Sequence, residues 1–241
     1  MKLCGIDLAW QSEKNPSAIA SGSLEGNVLK VHRVHPAVYG INEVIKIVSG
    51  INGLYGVAVD APLVIKNSIG QRDCERQLSK VYASRYAGCH TSNLKLYPEA
   101  KSVYLAQELL KQGFNHLSKE QFQIECYPHP AIIEIFNLPE RLKYKKGRVL
   151  AKKRGQKSLA SMIRSLSDSS TLRLKIDDEH SQFLDEDHID TLKGKALKSN
   201  EDALDAILCL YIAGLYSIEA DGHKFGDIAT GYVWVPTGSC I

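Results

Sequence analysis

"KLCGIDLAW", Lys2 to Trp10, and "GLYGVAVDAPL", Gly53 to Leu63, decide how this chain is read. Each is a short apolar run that carries an aspartate near its end, Asp7 in the first and Asp60 in the second. Runs of this length bounded by turn formers read as buried strands. Between them, "SAIASGSLEGNVLKVHRV" alternates as two strands that turn at Glu25-Gly26-Asn27. "INEVIKIVSG" then places Ile41, Val44, Ile45 and Val48 on one helical face and stops at Gly50. The order is β-β-β-α-β. A strand reached through a helix pairs in parallel with the earlier one by a right-handed crossover, so both aspartates are predicted at one edge of one sheet. Ligands of open α/β sheets bind at that edge.

The chain has 241 residues, enough for one core, and a single domain spanning residues 1–241 is predicted. Its 44% hydrophobic and 24% charged residues are those of an ordinary globular protein and exclude a low-complexity or disordered class. A formal charge of +3 is too small to imply nucleic-acid binding by itself, but cations concentrate in "RLKYKKGRVLAKKRGQK", Arg141 to Lys157. Six cysteines without a C-x-x-C pair read as reduced core thiols. Cys126 with His129, or Cys89 with His90, would need two further ligands to hold zinc. No apolar run reaches about 18 residues and no leader pattern is present, which predicts no membrane partner and a cytoplasmic location. Oligomeric state is not addressed by the sequence.

From about residue 63 to 119 the pattern is helical in pieces, "SIGQRDCERQLSKVYASRY" and "EAKSVYLAQELLKQG", and reads as a helical insertion. "QFQIECYPHPAIIEIF" is a strand, a Pro-bounded turn and a helix. The basic segment and a Ser-, Asp- and Glu-rich stretch near residues 165–190 follow, with no element assigned. "NEDALDAILCLYIAGLY" is the last clear helix and "GYVWVP" a small closing strand. No internal repeat is present.

Three further acids join the two strand aspartates. Asp202 and Asp205, three residues apart, are neighbours on a helix face that also carries Leu208 and Cys209. Glu125 lies near the end of another apolar strand. Two like charges about 4 Å apart repel by roughly 4 kcal/mol at an effective dielectric near 20, so such a cluster requires protons or a cation. Magnesium or manganese fits, because hard cations take carboxylate oxygens and retain waters. Taken singly, each aspartate reads equally well as a turn former or helix cap, Asp202 together with Asn200 above all.

"GIDLAW", "AVDAPL", "QRDCERQL", "ECYPHPAIIEIF", "KYKKGR" and "EDALDAILCLYIA" together resemble the domain of unknown function 429 family, DUF429, predicted nucleases of the ribonuclease-H-like fold. The resemblance covers nearly the whole chain. It implies an α/β fold, a mixed sheet built on a β-β-β-α-β-α-β-α core with helices on both faces. "EDALDA" is similar to the final-helix Asp-x-x-Asp of RuvC-type resolvases, which carry Glu where this chain has Asp60. The resemblance implies Asp7, Asp60 and Asp205 as ligands of Mg2+ or Mn2+, with Glu125 and Asp202 as further catalytic acids. Arg72 and Glu75 would be a phosphate contact and its orienting partner, or else an exposed helical charge pair. Lys145, Lys146 and Arg148 would meet backbone phosphates, or form a solvated basic turn. His129, between two prolines, is fixed by its turn and is a further catalytic candidate.

The expected function is metal-dependent hydrolysis of phosphodiester bonds in DNA or RNA, with water as nucleophile and nucleic acid as partner. Three alternatives stay open: a non-catalytic nucleic-acid or protein-binding module, a hydrolase of a small phosphorylated metabolite, and a nucleotide-binding phosphotransferase like the actin-like ATPases and sugar kinases. The last requires a Gly-rich phosphate hairpin after the first strand, which "LAWQSEKNPSA" lacks.

Overall fold

The computed structural model describes residues 1–11 and 14–240. The chain opens with β1 (Lys2–Asp7), β2 (Ser17–Glu25) and β3 (Val28–Val38), followed by α1 (Ile41–Ser49) and β4 (Leu54–Asp60). The segment read as an insertion carries α2 (Asp73–Tyr82), α3 (Lys101–Lys111) and the short β5 (Asn115–His116). Then come β6 (Phe122–Glu125), α4 (Pro128–Ile135), α5 (Val149–Ser165) and β7 (Arg173–Ile176). The short α6 (Asp178–Ser181) and α7 (Glu186–Thr191) lead into the long α8 (Gly194–Ser217), and a hairpin of β8 (Gly222–Asp227) and β9 (Gly231–Pro236) ends the chain.

Among the described residues seven strands form one mixed sheet in the order β5-β6-β4-β1-β2-β3-β7. Four of its six neighbouring pairs are parallel, and β1–β2 and β2–β3 are antiparallel. β1 and β4 pair in parallel as predicted, in a register that sets Asp7 opposite Asp60.

Strand alternation explains where those aspartates face. Cys4, Ile6, Val57 and Val59 enter a core with Val44 and Val48 of α1 and Leu105 and Leu109 of α3. Leu3 and Ala58 face the other way, into a second core with the α8 residues Ala206, Leu210 and Ala213. Asp7 and Asp60 continue the Leu3 and Ala58 side. Helices therefore cover both faces, and both carboxylates project on the α8 side.

The close approach of α8 rests on Gly5. A Cβ there would lie 2.0 Å from the Leu210 backbone nitrogen and 2.4 Å from the Ala206 carbonyl oxygen. Neither backbone atom can swing aside, so the helix itself would have to lift. We expect Gly5→Ala to destabilise the protein by about 3 kcal/mol or more, at the upper end of overpacking costs. Urea unfolding checks this, and a loss below about 1 kcal/mol would contradict so close a helix–sheet contact.

The elements that depart from the sequence expectation include α5, β7 and β8, beside the short β5, α6 and α7. The basic stretch forms α5, which buries Leu159, Ala160 and Ile163 on one side. β7 arises inside the Ser-, Asp- and Glu-rich stretch and pairs in parallel with β3. Only Leu174 of its four residues is buried, so it has no apolar signature. The closing strand is half of a hairpin, because β8, "GHKFGD", buries only Phe225.

Candidate functional site

α8 enters the core so deeply that every residue from Asn200 to Leu215 is buried, acids included. Asp202 is 3% exposed and Asp205 fully buried. Asp205 immediately precedes the Ala206–Leu210 contact over Gly5 and Asp202 lies about one helical turn before it, while Asp7 lies two residues beyond Gly5 on the same sheet face. Asp7 and Asp202 lie close enough for each carboxyl group to act on the titration of the other.

Cations meet this cluster at two points. Lys198 binds Glu201 at 2.8 Å and Asp202 at 2.5 Å. Lys145 lies 2.7 Å from Asp205 Oδ2 and also feels the charges of Asp7 and Asp60. The buried Tyr144 hydroxyl donates to Asp205 Oδ1 at 2.6 Å. Asp205 Oδ2 has the ion pair but no aligned hydrogen bond, so this buried oxygen keeps an open lone pair. Five acids, Asp7, Asp60, Glu201, Asp202 and Asp205, thus meet two ammonium groups.

Burial first, and the neighbouring negative charge after it, raise the carboxyl pKa values. Burial, opposed by Lys145 and reinforced by Asp205, Asp60 and Asp202, holds Asp7 well above the usual carboxylate range. Burial, with the same Lys145 opposition and the Asp205 charge, pushes Asp60 up to about 7 from 3.8. Because the folded value is the higher one, Asp60 favours folding fully below about pH 4, and that contribution is lost as pH rises through about 7. Without divalent ions, the melting temperature of the wild type should fall across this window more steeply than that of Asp60→Asn. Equal slopes would contradict the burial of Asp60 among like charges.

The predicted site residues divide into two groups. Asp7, Asp60 and Asp205 come together around Lys145, and Asp202 beside them is held by Lys198. Glu125, Arg72 and Glu75 form their own buried hydrogen-bonded network beside Asp60, on whose carboxyl the Glu125 charge also acts. Arg72 gives Glu125 two hydrogen bonds, 2.9 Å from Nη1 and 2.6 Å from Nη2, and gives Glu75 one at 2.8 Å from Nε. Its Nη1 also reaches the Val64 carbonyl at 3.0 Å. Leu63 N–H donates to Glu125 and the Ser92 N–H and hydroxyl donate to Glu75. Arg72 is 3% exposed and Glu75 1%, so they are neither an accessible phosphate contact nor an exposed charge pair. Their partner is Glu125, across 53 residues of sequence. Burial still raises the Glu125 pKa, with Arg72 opposing.

A cleft of about 520 Å³ opens over Asp7 and Asp60, bordered by Trp10, Tyr127, His129 and the loop from Arg141 to Gly147. Lys145 turns inward to Asp205, in place of the solvated turn or phosphate contact expected for it. Lys146 borders the cleft and is exposed, whereas Arg148 precedes α5 outside the lining. Trp10 packs edge-on against Tyr97, with ring centroids 4.5 Å apart, and keeps a partly exposed face on the cleft. Tyr144 and Arg141 were not singled out from sequence. The lone aromatic inside "KYKK" is the available signal for Tyr144.

Among the described residues, no three His, Cys, Asp or Glu side chains converge in metal-ligand geometry, and the suggested Cys–His zinc pairs acquire no further ligands. Cys126 Sγ instead lies 3.6 Å from Cys209 Sγ, and all six cysteines are free thiols. No described helix is long and apolar enough to cross a membrane.

Searches of curated proteins and of solved structures find no match. One family model does match, over residues 5–223, a span that contains the carboxylate cluster, the Arg72 network and the basic loop. The chain belongs to the family described as "Protein of unknown function (DUF429)".

Proposed function

We propose that this protein is a divalent-metal-dependent nuclease with a ribonuclease-H-like fold. The strand order supports the fold: an antiparallel β3-β2-β1 meander is extended from β1 by parallel β4 and β6. One observation carries the function. Asp7 and Asp60 are register partners on adjacent parallel strands and face Asp202 and Asp205 of the core helix, at the floor of an open cleft.

The donor set suits a hard divalent cation. Its ligands are all carboxylate oxygens, the acids outnumber the ammonium groups, and Asp205 Oδ2 has no aligned donor. Asp7, Asp60 and Asp205 would hold the ion, their carboxylates drawing together from positions that do not yet converge in ligand geometry. Lys145 now partners Asp205, so loading would require its ammonium to withdraw. A bound divalent ion supplies an activated water and stabilises the developing charge on the leaving oxygen.

The remaining roles belong to the chain itself. Tyr144 fixes the carboxylate of Asp205 through Oδ1. Arg141 and Lys146, whose side chains have no acidic partner among the described residues, face phosphate at the cleft border. Trp10 and Tyr127 offer faces for bases. In the reaction a water oxygen bonds to phosphorus as one P–O ester bond breaks. One water proton ends on the leaving oxygen, giving a hydroxyl, and the other is released through the site's carboxylates as the phosphate monoester forms.

The test is incubation of the purified protein with DNA and RNA, single-stranded and duplex, in magnesium, manganese or chelator. The expected result is cleavage in either metal, none in chelator, and products ending in a phosphate monoester and a hydroxyl. Absence of cleavage on every substrate in both metals would overturn the reading.

A further inference from the structure

Two clefts meet at the carboxylate cluster. The cleft of about 520 Å³ lies on the side of the Arg141–Gly147 loop. A second, of about 460 Å³, lies on the side of Lys198 and Asp202. Asp7, Leu8, Trp10, His90 and Lys145 line both, so the two join over Asp7. Each has the dimensions of a small-ligand pocket rather than of a broad duplex-binding surface.

His129, which lines the first cleft, has hydrogen-bonding capacity that the fold leaves unused. His129 is 8% exposed, and its buried Nδ1 has no partner. Its ring is set edge-on between Tyr127 and Tyr144, at centroid distances of 5.7 and 5.5 Å. Burial and the nearby Lys145 and Arg141 charges push its pKa down to about 2, so the imidazole is neutral. A neutral imidazole carries one donor and one acceptor. A buried ring nitrogen without a partner is a costly feature for a fold to keep unless something bound in the cleft satisfies it.

We propose that the joined clefts form a path for one unpaired strand of nucleic acid, with a nucleobase seated against His129 and Tyr127 and its phosphates on Arg141 and Lys146. This rests on the nuclease reading and narrows its substrate to unpaired strands or strand ends. An unpaired base exposes its Watson–Crick edge to a donor–acceptor pair and its π-face to aromatic rings, whereas a base in duplex exposes neither. The arrangement makes His129 a binding residue rather than an acid or base.

The experiment is fluorescence anisotropy with a labelled unpaired pentamer, in DNA and RNA versions. Its blunt duplex and an abasic pentamer are the comparison probes, and calcium replaces magnesium. The pentamer is expected to bind the wild type at least about tenfold more tightly than the duplex or the abasic pentamer. His129→Phe, which retains a ring of similar bulk, is expected to lose about tenfold for the pentamer and nothing for the abasic probe. The wild-type comparison of probes keeps the proposal testable even if that variant does not fold. Duplex binding as tight as pentamer binding, equal affinity for the abasic pentamer, or an unchanged His129→Phe variant would each overturn the proposal. Divalent-dependent cleavage of duplex with no preference for unpaired strands would overturn it and leave the nuclease reading standing. Absence of all cleavage with selective pentamer binding intact would instead remove the nuclease reading and support the unpaired-strand path.

Discussion

Asp7→Asn is expected to reduce divalent-dependent cleavage by about a thousandfold or more, while leaving the metal-free protein as stable as the wild type or slightly more so. The two effects share one origin. Asp7 lies opposite Asp60 and within the fields of Asp205, Asp60 and Asp202. Replacing a carboxylate by an amide removes the burial cost of a charge and its repulsion from Asp205, Asp60 and Asp202, against which stands only the lost attraction to Lys145. It also removes a hard, charged group that the proposed metal site uses as a ligand, and losing about 4 kcal/mol of transition-state stabilisation corresponds to about a thousandfold in rate. Cleavage kinetics and urea unfolding on the same preparation check both. If Asp7→Asn lost stability and activity in proportion, Asp7 would be a structural residue and the site would lie elsewhere.

Arg72→Met is expected to destabilise the protein by about 3–5 kcal/mol, the cost of leaving buried charge uncompensated. Among the described residues, Arg72 is the sole guanidinium contacting Glu125 and Glu75, both nearly inaccessible to water. Without it two carboxylates remain in the core with only N–H and hydroxyl donors from Leu63, Arg72 itself and Ser92. The network ties the end of β6 to the start of α2 and to the loop after β4, so its loss should also disorder the approach to Asp60. Adding Glu125→Gln should recover part of the loss, because the amide no longer needs a counter-charge. Urea unfolding of the single and double variants forms the cycle. A single-variant loss below about 1 kcal/mol, or no recovery in the double, would contradict this reading of the network.

The position of the site was more legible than its interior. Period-2 alternation places Leu3, Gly5 and Asp7 on one sheet face, and the helix between β1 and β4 makes the pair parallel. The adjacency of Asp7 and Asp60 therefore follows from local pattern. The i, i+3 spacing of Asp202 and Asp205, together with the apolar residues that follow, marks a buried acidic face. The pairing of charges across long separations was not legible. Lys145 and Arg148 belong to the same basic run, yet the ammonium of Lys145 turns inward to Asp205, and nothing local distinguishes them. Likewise, "QRDCERQ" reads as a polar helix start until Glu125 arrives as Arg72's partner. β7 and β8 escaped because each buries one apolar residue, Leu174 and Phe225, and their strand state comes from pairing with β3 and β9.

The most direct test of the central claim, that this carboxylate cluster is a divalent-cation site from which Lys145 must withdraw, is titration calorimetry with manganese. It should be run on the wild type, Asp205→Asn and Lys145→Met, with melting curves on the same samples. The account predicts a saturable site in the wild type and a melting temperature raised by roughly 5–10 °C when the ion is at about a hundred times its dissociation constant. It predicts tighter binding in Lys145→Met, where no ammonium competes, and none in Asp205→Asn. A wild type that takes up no manganese and does not change its melting temperature, with Lys145→Met behaving the same, would contradict it.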